Sequence, residues 1–494
     1  MDFNGASPFP EGVISFLDTD LYKLTMQCAA LKYFPDVPVT YAFKNRTPEK
    51  KLSRAAFDWL QIQINKLGNI SLSADEYNFL KSTCTYLNEP YLRYLQDFRL
   101  NPREQIKGTF VADEDTGKDT DVGEFKLEIK GLWVETILYE IPLLALTSEA
   151  YFRFMDTEWS YDGQEEKAYE KGIRLLEGGC ITSEFGTRRR RDYHTQALVF
   201  RGLVRANKDG QKRGLPGKIS GTSNVHLAMR FGIPPIGTVA HEWFMGVAAI
   251  TNDYEHATET ALSYWIGCFG KGVLGITLTD TFGTPIFLRA FGKPIPRLAS
   301  ALHSAATTAT SSDAATHLTS TEPPLHAPPS DTTETNITFA QAFTGVRQDS
   351  GDPATFVRTL RTFYDSQGIT EKKTIVFSDS LNIDLCLKYK ALSEAAGFAP
   401  AFGVGTYLTN DFINLKTGKK SVPLNIVIKL SSASGRPAIK ISDNAGKNTG
   451  DEATVGEVKR RLGYVEQEWE GGDESTRWGT EEAEAPAVAA AAAQ

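Results

Sequence analysis

Two periodicities take turns along the first third of the chain. In DTDLYKLTMQCAALKYF, Leu21, Leu24, Cys28 and Leu31 recur at helical spacing, Asp18 stands where an N-cap would, and Pro35 ends the run. Val37, Val39, Tyr41 and Phe43 then alternate, which predicts a half-buried strand over 37–46. Residues 53–99 read as mostly helical, and QIKGTFVAD and FKLEIKGLWVE as strands either side of the polar turn EDTGKDTDVG. The apolar stretch 135–154 predicts a buried helix with Pro142 at a break or a start, and Gly178 and Gly179 stop the helix after it.

From residue 180 the pattern changes. Seven times a short apolar run ends in a polar, glycine-bearing loop: 181–191, 218–224, 235–242, 275–284, 345–353, 374–382 and 401–411. Most of these are followed by a helical pattern, and strands alternating with helices imply βα units around a parallel sheet. Seven such units favour a closed or nearly closed barrel, with all the polar loops on one face. Residues 233–243, IPPIGTVAHEW, read as a short buried strand that delivers His241 beside Glu242, which could orient it.

The spacing breaks once, where residues 296–336 insert a segment rich in Ser, Thr, Ala and Pro that has too few large apolar residues to order itself. Three of the seven histidines (His303, His317 and His326) fall within it and are set aside. Beyond the last βα unit, PLNIVIKLSSASGRPAIKISDN predicts a β-hairpin around Ser434 and Gly435, then a short helix at 453–462. A hairpin cannot continue a βα barrel. The expected organisation is therefore a discontinuous α+β domain from 15–150 and 415–469, an α/β barrel domain over 151–414 and a disordered acidic, alanine-rich tail over 470–494.

Composition narrows the class. A net charge of −8 argues against a nucleic-acid partner. Five scattered cysteines without a CxxC fit a reducing compartment rather than a disulfide framework or a zinc site. The N-terminus has no secretory pattern and no apolar stretch is long enough for a membrane helix, so the expectation is cytoplasmic residence. A nuclear address is the other reading of the arginine run 188–191.

The loops carry the candidate chemistry. Arg188 and its neighbours, with Arg347, supply positive charge. Gly405, Thr406, Gly221, Thr222, Ser223, Ser378 and Ser380 supply hydroxyls and close backbone N–H groups. Glycine–hydroxyl loops at helix starts suit phosphate. Asp280, Asp349, Asp352 and Asp379 add carboxylates, which beside phosphates suit Mg²⁺. The expected ligand is a small molecule with several phosphates.

The motifs LDTDLYKLTM (17–26), SEFGTRRRR (183–191), GTSN (221–224), GTVAHEW (237–243), LTDTFGT (278–284), GVRQDSGDP (345–353), SDSLN (378–382), FGVGT (402–406) and PLNIVIKL (423–430) occur in this order over most of the chain. In them the sequence resembles nicotinate phosphoribosyltransferases, especially the fungal ones. The resemblance implies an irregular βα barrel of the type II phosphoribosyltransferase kind. It also implies conversion of nicotinate and 5-phosphoribosyl 1-pyrophosphate to nicotinate mononucleotide and pyrophosphate, with ATP as co-substrate, Mg²⁺ as cofactor and a place in NAD biosynthesis.

Carried over by residue, His241 is the phosphorylated histidine, and Tyr22, Thr238 and Arg347 hold nicotinate. Phe185 stacks on the pyridine ring and Arg188 sits near the phosphates. Thr406, Gly405 and Ser380 serve the phosphoribosyl phosphate, and Asp280 and Asp349 are the Mg²⁺ and ribose carboxylates. Ser223, where users of nicotinamide have an aspartate, favours the acid over the amide. The family implies a homodimer in which the tyrosine enters a neighbour's site, with monomers among fungal members. An unrelated phosphate-binding barrel enzyme, such as an isomerase or aldolase, would need a Schiff-base lysine or a base pair, and no lysine sits at a strand end among the seven loops. A catalytically dead sensor would be expected to have lost His241 or the DSGDP acids.

Overall fold

The protein is described by a computed structural model covering residues 10–296, 337–444 and 447–465. Strands from both ends of the chain build one antiparallel sheet. In it Pro38–Asn45 lies between Val122–Leu132 and Ile426–Ala433, with Ile106–Ala112 pairing the outer side of Val122–Leu132. The alternation predicted over 37–46 has its physical basis here. Tyr41 pairs with Leu430 on one side and Ile129 on the other, and all three are buried. The C-terminal hairpin turns at Ser434 and Gly435, both at positive φ.

The second sheet is parallel and six-stranded. Its order is Lys218–Thr222, Ile181–Glu184, Ala399–Val404, Thr374–Phe377, Gly345–Gln348 and Ile276–Leu278. Parallel pairing puts the loop after every strand on the same edge, so residues far apart in sequence face one another there.

Residues 233–243 depart from the expected seventh strand. Pro234 and Pro235 have no N–H to give a ladder, so the segment makes one isolated bridge, Pro235 to Thr222. It then runs on to donate the Thr238 hydroxyl to Ile276 O at 2.6 Å, touching the first and last strands of the sheet without pairing fully with either. His241 is consequently the first residue of the helix His241–Thr251 and not the end of a strand.

Two further differences follow from burial. The first helix, Leu21–Tyr33, starts after Asp20, and Asp18 caps nothing. Instead the buried Asp18 carboxylate receives a forked pair of bonds from Arg190 at 2.8 and 2.7 Å. The stretch 135–154 contains the helix Glu140–Phe154, with Pro142 in its first turn. Apart from Pro296, the expected insertion lies outside the described residues, as does the expected 470–494 tail.

Candidate active site

The carboxyl edge of the parallel sheet opens into a cavity shared with the antiparallel sheet. Tyr22, Phe185, Arg188, Ser223, His241, Arg347, Asp349, Ser380, Gly405 and Thr406 all line it. Tyr22 reaches this cavity within its own chain. Leu21 N–H bonds Ser223 O at 2.8 Å, and Gly237 lets the helix approach so closely that a Cβ there would sit 3.1 Å from Tyr22 N. Tyr22 thus lines the cavity of its own chain.

His241 is buried at the centre of a polar cluster. Its Nδ1 lies 3.0 Å from Thr281 Oγ1, and its Nε2 lies 2.9 Å from Asp349 Oδ2 and 3.0 Å from Lys440 Nζ. Burial, reinforced by the Lys440 ammonium, pushes the imidazole down to about 4 against the pull of Asp280 and Asp349. Asp349 accepts from Ser378 Oγ at 2.8 Å. Burial acts to raise its carboxyl, but Arg347 and His241 outweigh that and hold it well below the usual carboxylate range.

Asp280 is fully buried behind the cavity. Its Oδ2 accepts from Ser350 Oγ at 2.6 Å and from Lys440 Nζ at 3.0 Å. Its Oδ1 has no hydrogen-bond partner among the described residues and lies 3.7 Å from His241 Nε2. An orphaned carboxylate oxygen is costly unless a cation or water meets it. The donor atoms of His241, Asp280 and Asp349 lie within 4.8 Å of one another, close enough to share an ion. The carboxylates suit Mg²⁺; the imidazole is the poorer donor.

On the other side of the cavity Phe185 packs against Gly403, where a Cβ would come within 2.2 Å of its ring. Arg347 lines the cavity, and its buried Nε has no hydrogen-bond partner among the described residues. Ser380 holds a left-handed backbone with φ of 47°, an uncommon conformation for a residue other than glycine.

Several expectations need correcting. Thr238 does not line the cavity; its hydroxyl is committed to Ile276 O, and Gly237 and Ile236 take its place in the wall. Ser223 does line it, but donates to Asp20 Oδ1 at 2.8 Å, not toward the cavity. Burial raises the Asp20 carboxyl, partly offset by that bond. Glu242 does not orient His241: it accepts from Tyr41 at 2.6 Å and Trp133 at 2.8 Å and is ion-paired with Lys23. Within the arginine run, Arg188 and Arg189 line the cavity, while Arg190 and Arg191 are buried, the latter with its guanidinium 3.9 Å from the Phe152 and Phe412 rings. Such a run is not an exposed basic peptide.

Sequence reasoning also missed residues. Lys440, Lys429 and Asp20 belong to the site, yet the first two come from the C-terminal hairpin region, which was assigned to a separate domain. The signal available was the pair of lysines in PLNIVIKL and PAIKISDN, each a charge inside an otherwise apolar strand pattern. Asp20 was hidden by its neighbour Asp18, which competes with it for the N-cap reading.

Comparison with known proteins agrees with this geometry. Residues 17–148 match the nicotinate phosphoribosyltransferase N-terminal domain, and residues 180–304 and 320–466 match the nicotinate phosphoribosyltransferase family. A Schizosaccharomyces pombe relative is 42% identical over 452 residues, 91% of this chain and 98% of that one. The nicotinate phosphoribosyltransferase of Saccharomyces cerevisiae is 41% identical over 469 residues, 94% of this chain and 98% of that one. A crystal structure from Saccharomyces cerevisiae is similar with a TM-score of 0.79 at 40% identity, covering 92% of this chain and 100% of that one. No helix among the described residues is long and apolar enough to cross a membrane. With both parts of the family pattern matched in order along a chain that assembles its own cavity around His241, the protein belongs to the nicotinate phosphoribosyltransferase family.

Proposed function

We propose that the chain transfers the phosphoribosyl group of 5-phosphoribosyl 1-pyrophosphate to the ring nitrogen of nicotinate, releasing pyrophosphate, in the salvage of nicotinate toward NAD. The observation that carries this reading is one cavity lined by His241, Asp349 and an Arg347 whose buried Nε has no partner among the described residues. Nicotinate is an anion, so an arginine of that kind can take its carboxylate. Phe185 offers its ring to the pyridine. Cleavage at C1 of the donor builds positive charge on the sugar, which the Asp349 carboxylate stabilises electrostatically.

His241, neutral over the physiological range, serves as acceptor of the γ-phosphoryl group of ATP: a P–N bond forms, ADP leaves, and water later releases phosphate. Asp280 and Asp349 would hold Mg²⁺, which when bound neutralises phosphate charge. Thr406, Gly405 and Ser380 serve the donor phosphate, and Arg188 the charge nearby. The division into a barrel closed through Thr238 and a discontinuous second domain, and residence in the cytoplasm, belong to the same reading.

Nicotinamide is the second reading, because Asp20 lines the cavity and a carboxylate there can accept from an amide N–H. One assay separates them: nicotinate, nicotinamide or quinolinate is supplied with the donor, with and without ATP, and mononucleotide is measured. Product from nicotinate alone, with stoichiometric ADP, is expected. Product from nicotinamide instead, or none from either, would remove the proposal. Incubation with γ-labelled ATP should leave acid-labile label on the wild type and none on His241→Ala.

A further inference from the structure

The turn that carries Gly405 and Thr406 is held from behind by a lysine. Gly405, Thr406 and Tyr407 line the cavity, and Thr406–Thr409 is a single helical turn. So short a helix does not fix its own shape, because its last carbonyls have no following N–H group of the helix to meet. On one side it is tied to the arginine run: Thr409 Oγ1 donates to Gly186 O at 3.1 Å and Asn410 Nδ2 to Arg189 O at 2.7 Å. Another tie comes from the helix Gln164–Glu177. Lys171 Nζ donates to Tyr407 O and to Asp411 Oδ2, at 2.6 Å each, and lies 3.8 Å from the centre of the Tyr407 ring. Lys167, one turn earlier on the same face, donates to Asp411 O at 2.8 Å.

Lys171 is buried and does not itself line the cavity. Burial pushes its ammonium down to about 8; Asp411 opposes that, and Lys167 and Lys420 add to it. Burial acts to raise the Asp411 carboxyl, but Lys171 and Lys167 outweigh it and hold it below its ordinary value. Charges on the neighbouring helices are engaged elsewhere. On Tyr193–Lys212, Arg205 meets Glu165 and Glu166 and Asp209 meets the Tyr169 hydroxyl; on Ile383–Ala395, Asp384 meets Arg174. An apolar side chain would fill the space around Lys171 without the desolvation cost. What the ammonium adds is geometry, since one point charge fixes a carbonyl, a carboxylate and a ring face together.

We propose that Lys171 is a positioning residue for the phosphoribosyl donor: through Tyr407 O and the Asp411 carboxylate it holds the 405–411 turn in the shape that offers Gly405 and Thr406 to the donor phosphate. The identity of the anion rests on the proposed transfer reaction, whereas the clamp on the turn does not. Because the clamp is built on a charge that is lost as pH climbs through about 8, it weakens above that pH and holds below it.

The test has two arms. In the first, amide hydrogen exchange without substrates compares wild type and Lys171→Gln. Exchange over 405–411 should be at least several times faster in the variant, with the strand Gly345–Gln348 unchanged. In the second, both substrates are varied in turn. Lys171→Gln should raise the donor KM by roughly 10-fold, the scale of a displaced binding group, with nicotinate KM within about twofold. The wild-type donor KM should climb severalfold between about pH 7 and 9, and Lys171→Arg, charged throughout, should restore donor binding at neutral pH and flatten that climb. Unchanged exchange over 405–411 overturns the proposal. So does an equal rise in both KM values, which a merely structural role would give, or a pH profile of Lys171→Arg parallel to the wild type. If Lys171→Gln does not fold, the wild type and Lys171→Arg profiles decide alone. If the wild type makes no mononucleotide, the transfer reading fails while the exchange arm still reports whether Lys171 holds the turn.

Discussion

The Asp349 carboxylate stands 2.9 Å from Nε2 of His241, and that contact sets the proton on the ring. A charged carboxylate only accepts, so it calls for N–H at Nε2 and leaves Nδ1 with a lone pair facing Thr281 Oγ1 at 3.0 Å. Lys440, 3.0 Å from the same Nε2, calls for the opposite tautomer. The two contacts cannot both be satisfied by one nitrogen. Because the Lys440 ammonium also has Asp280 at 3.0 Å to receive it, the Asp349 contact is the one that decides the ring.

Asp349→Asn keeps the shape and removes the charge. The expected result is a fall in kcat of about 10²- to 10⁴-fold, the range for a mispositioned acid–base partner, with a smaller rise in donor KM. Steady-state kinetics with nicotinate and the donor check it. A kcat within threefold of the wild type would mean that Asp349 does not orient His241.

How much of this could be read from the sequence follows from how local each signal is. The run of βα loops, the strand over 37–46 and the C-terminal hairpin were legible because period and turn chemistry are short-range properties. Arg188, His241, Arg347, Asp349, Ser380, Gly405 and Thr406 were legible because each lies in or beside a polar loop at the same sheet edge, whereas Tyr22 and Phe185 came only with the family resemblance. What failed was non-local. The extended form of 233–240 depends on two prolines meeting a neighbouring strand, and the engagement of Ser223 by Asp20 joins residues 203 positions apart. Lys429 and Lys440 enter the site only because the C-terminal hairpin region folds over the carboxyl edge of the parallel sheet, which no spacing rule reports.

Gly403 is a test of Phe185. A Cβ at Gly403 would lie 2.2 Å from Cε2 and 2.3 Å from Cδ2 of the ring, so Gly403→Ala must move the ring off its seat. If the ring stacks on the pyridine, nicotinate KM should rise by about 3- to 10-fold, the size of an aromatic contact, with donor KM little changed. Kinetics with each substrate varied in turn will show it. An unchanged nicotinate KM would take Phe185 out of pyridine binding.

Glu184 makes stability depend on pH in a stated direction. It is fully buried, and burial pushes its carboxyl up to about 7 despite bonds from Thr222 at 2.8 Å, Gly186 N–H and Gln196. A raised folded-state value means that its contribution is complete below the ordinary carboxyl range and is lost as pH climbs toward 7. Glu184→Gln removes that titration. Relative to the variant, the wild type should therefore lose stability between about pH 4.5 and 7 and no further above it, by up to on the order of 3 kcal/mol. Urea unfolding at a series of pH values measures the difference. A gap that is constant with pH would show that Glu184 does not change charge on folding.

The described segments on either side of 297–336 are already joined. Ile295 N–H bonds Ile337 O at 3.0 Å, Phe339 N–H bonds Lys293 O at 3.1 Å, and Pro294 forms a bridge with Thr338. Chain ends held side by side can be closed by a short turn without moving the helix Thr284–Phe291 or the strand Gly345–Gln348. Replacing 297–336 by a short Gly/Ser linker should accordingly keep kcat within about twofold. Because closure entropy grows only with the logarithm of loop length, stability should hold or rise by roughly 1–2 kcal/mol. Turnover and urea unfolding of the shortened chain decide it. A large fall in kcat at unchanged stability would assign the segment a part in the reaction, since the joined ends leave the fold no reason to need it.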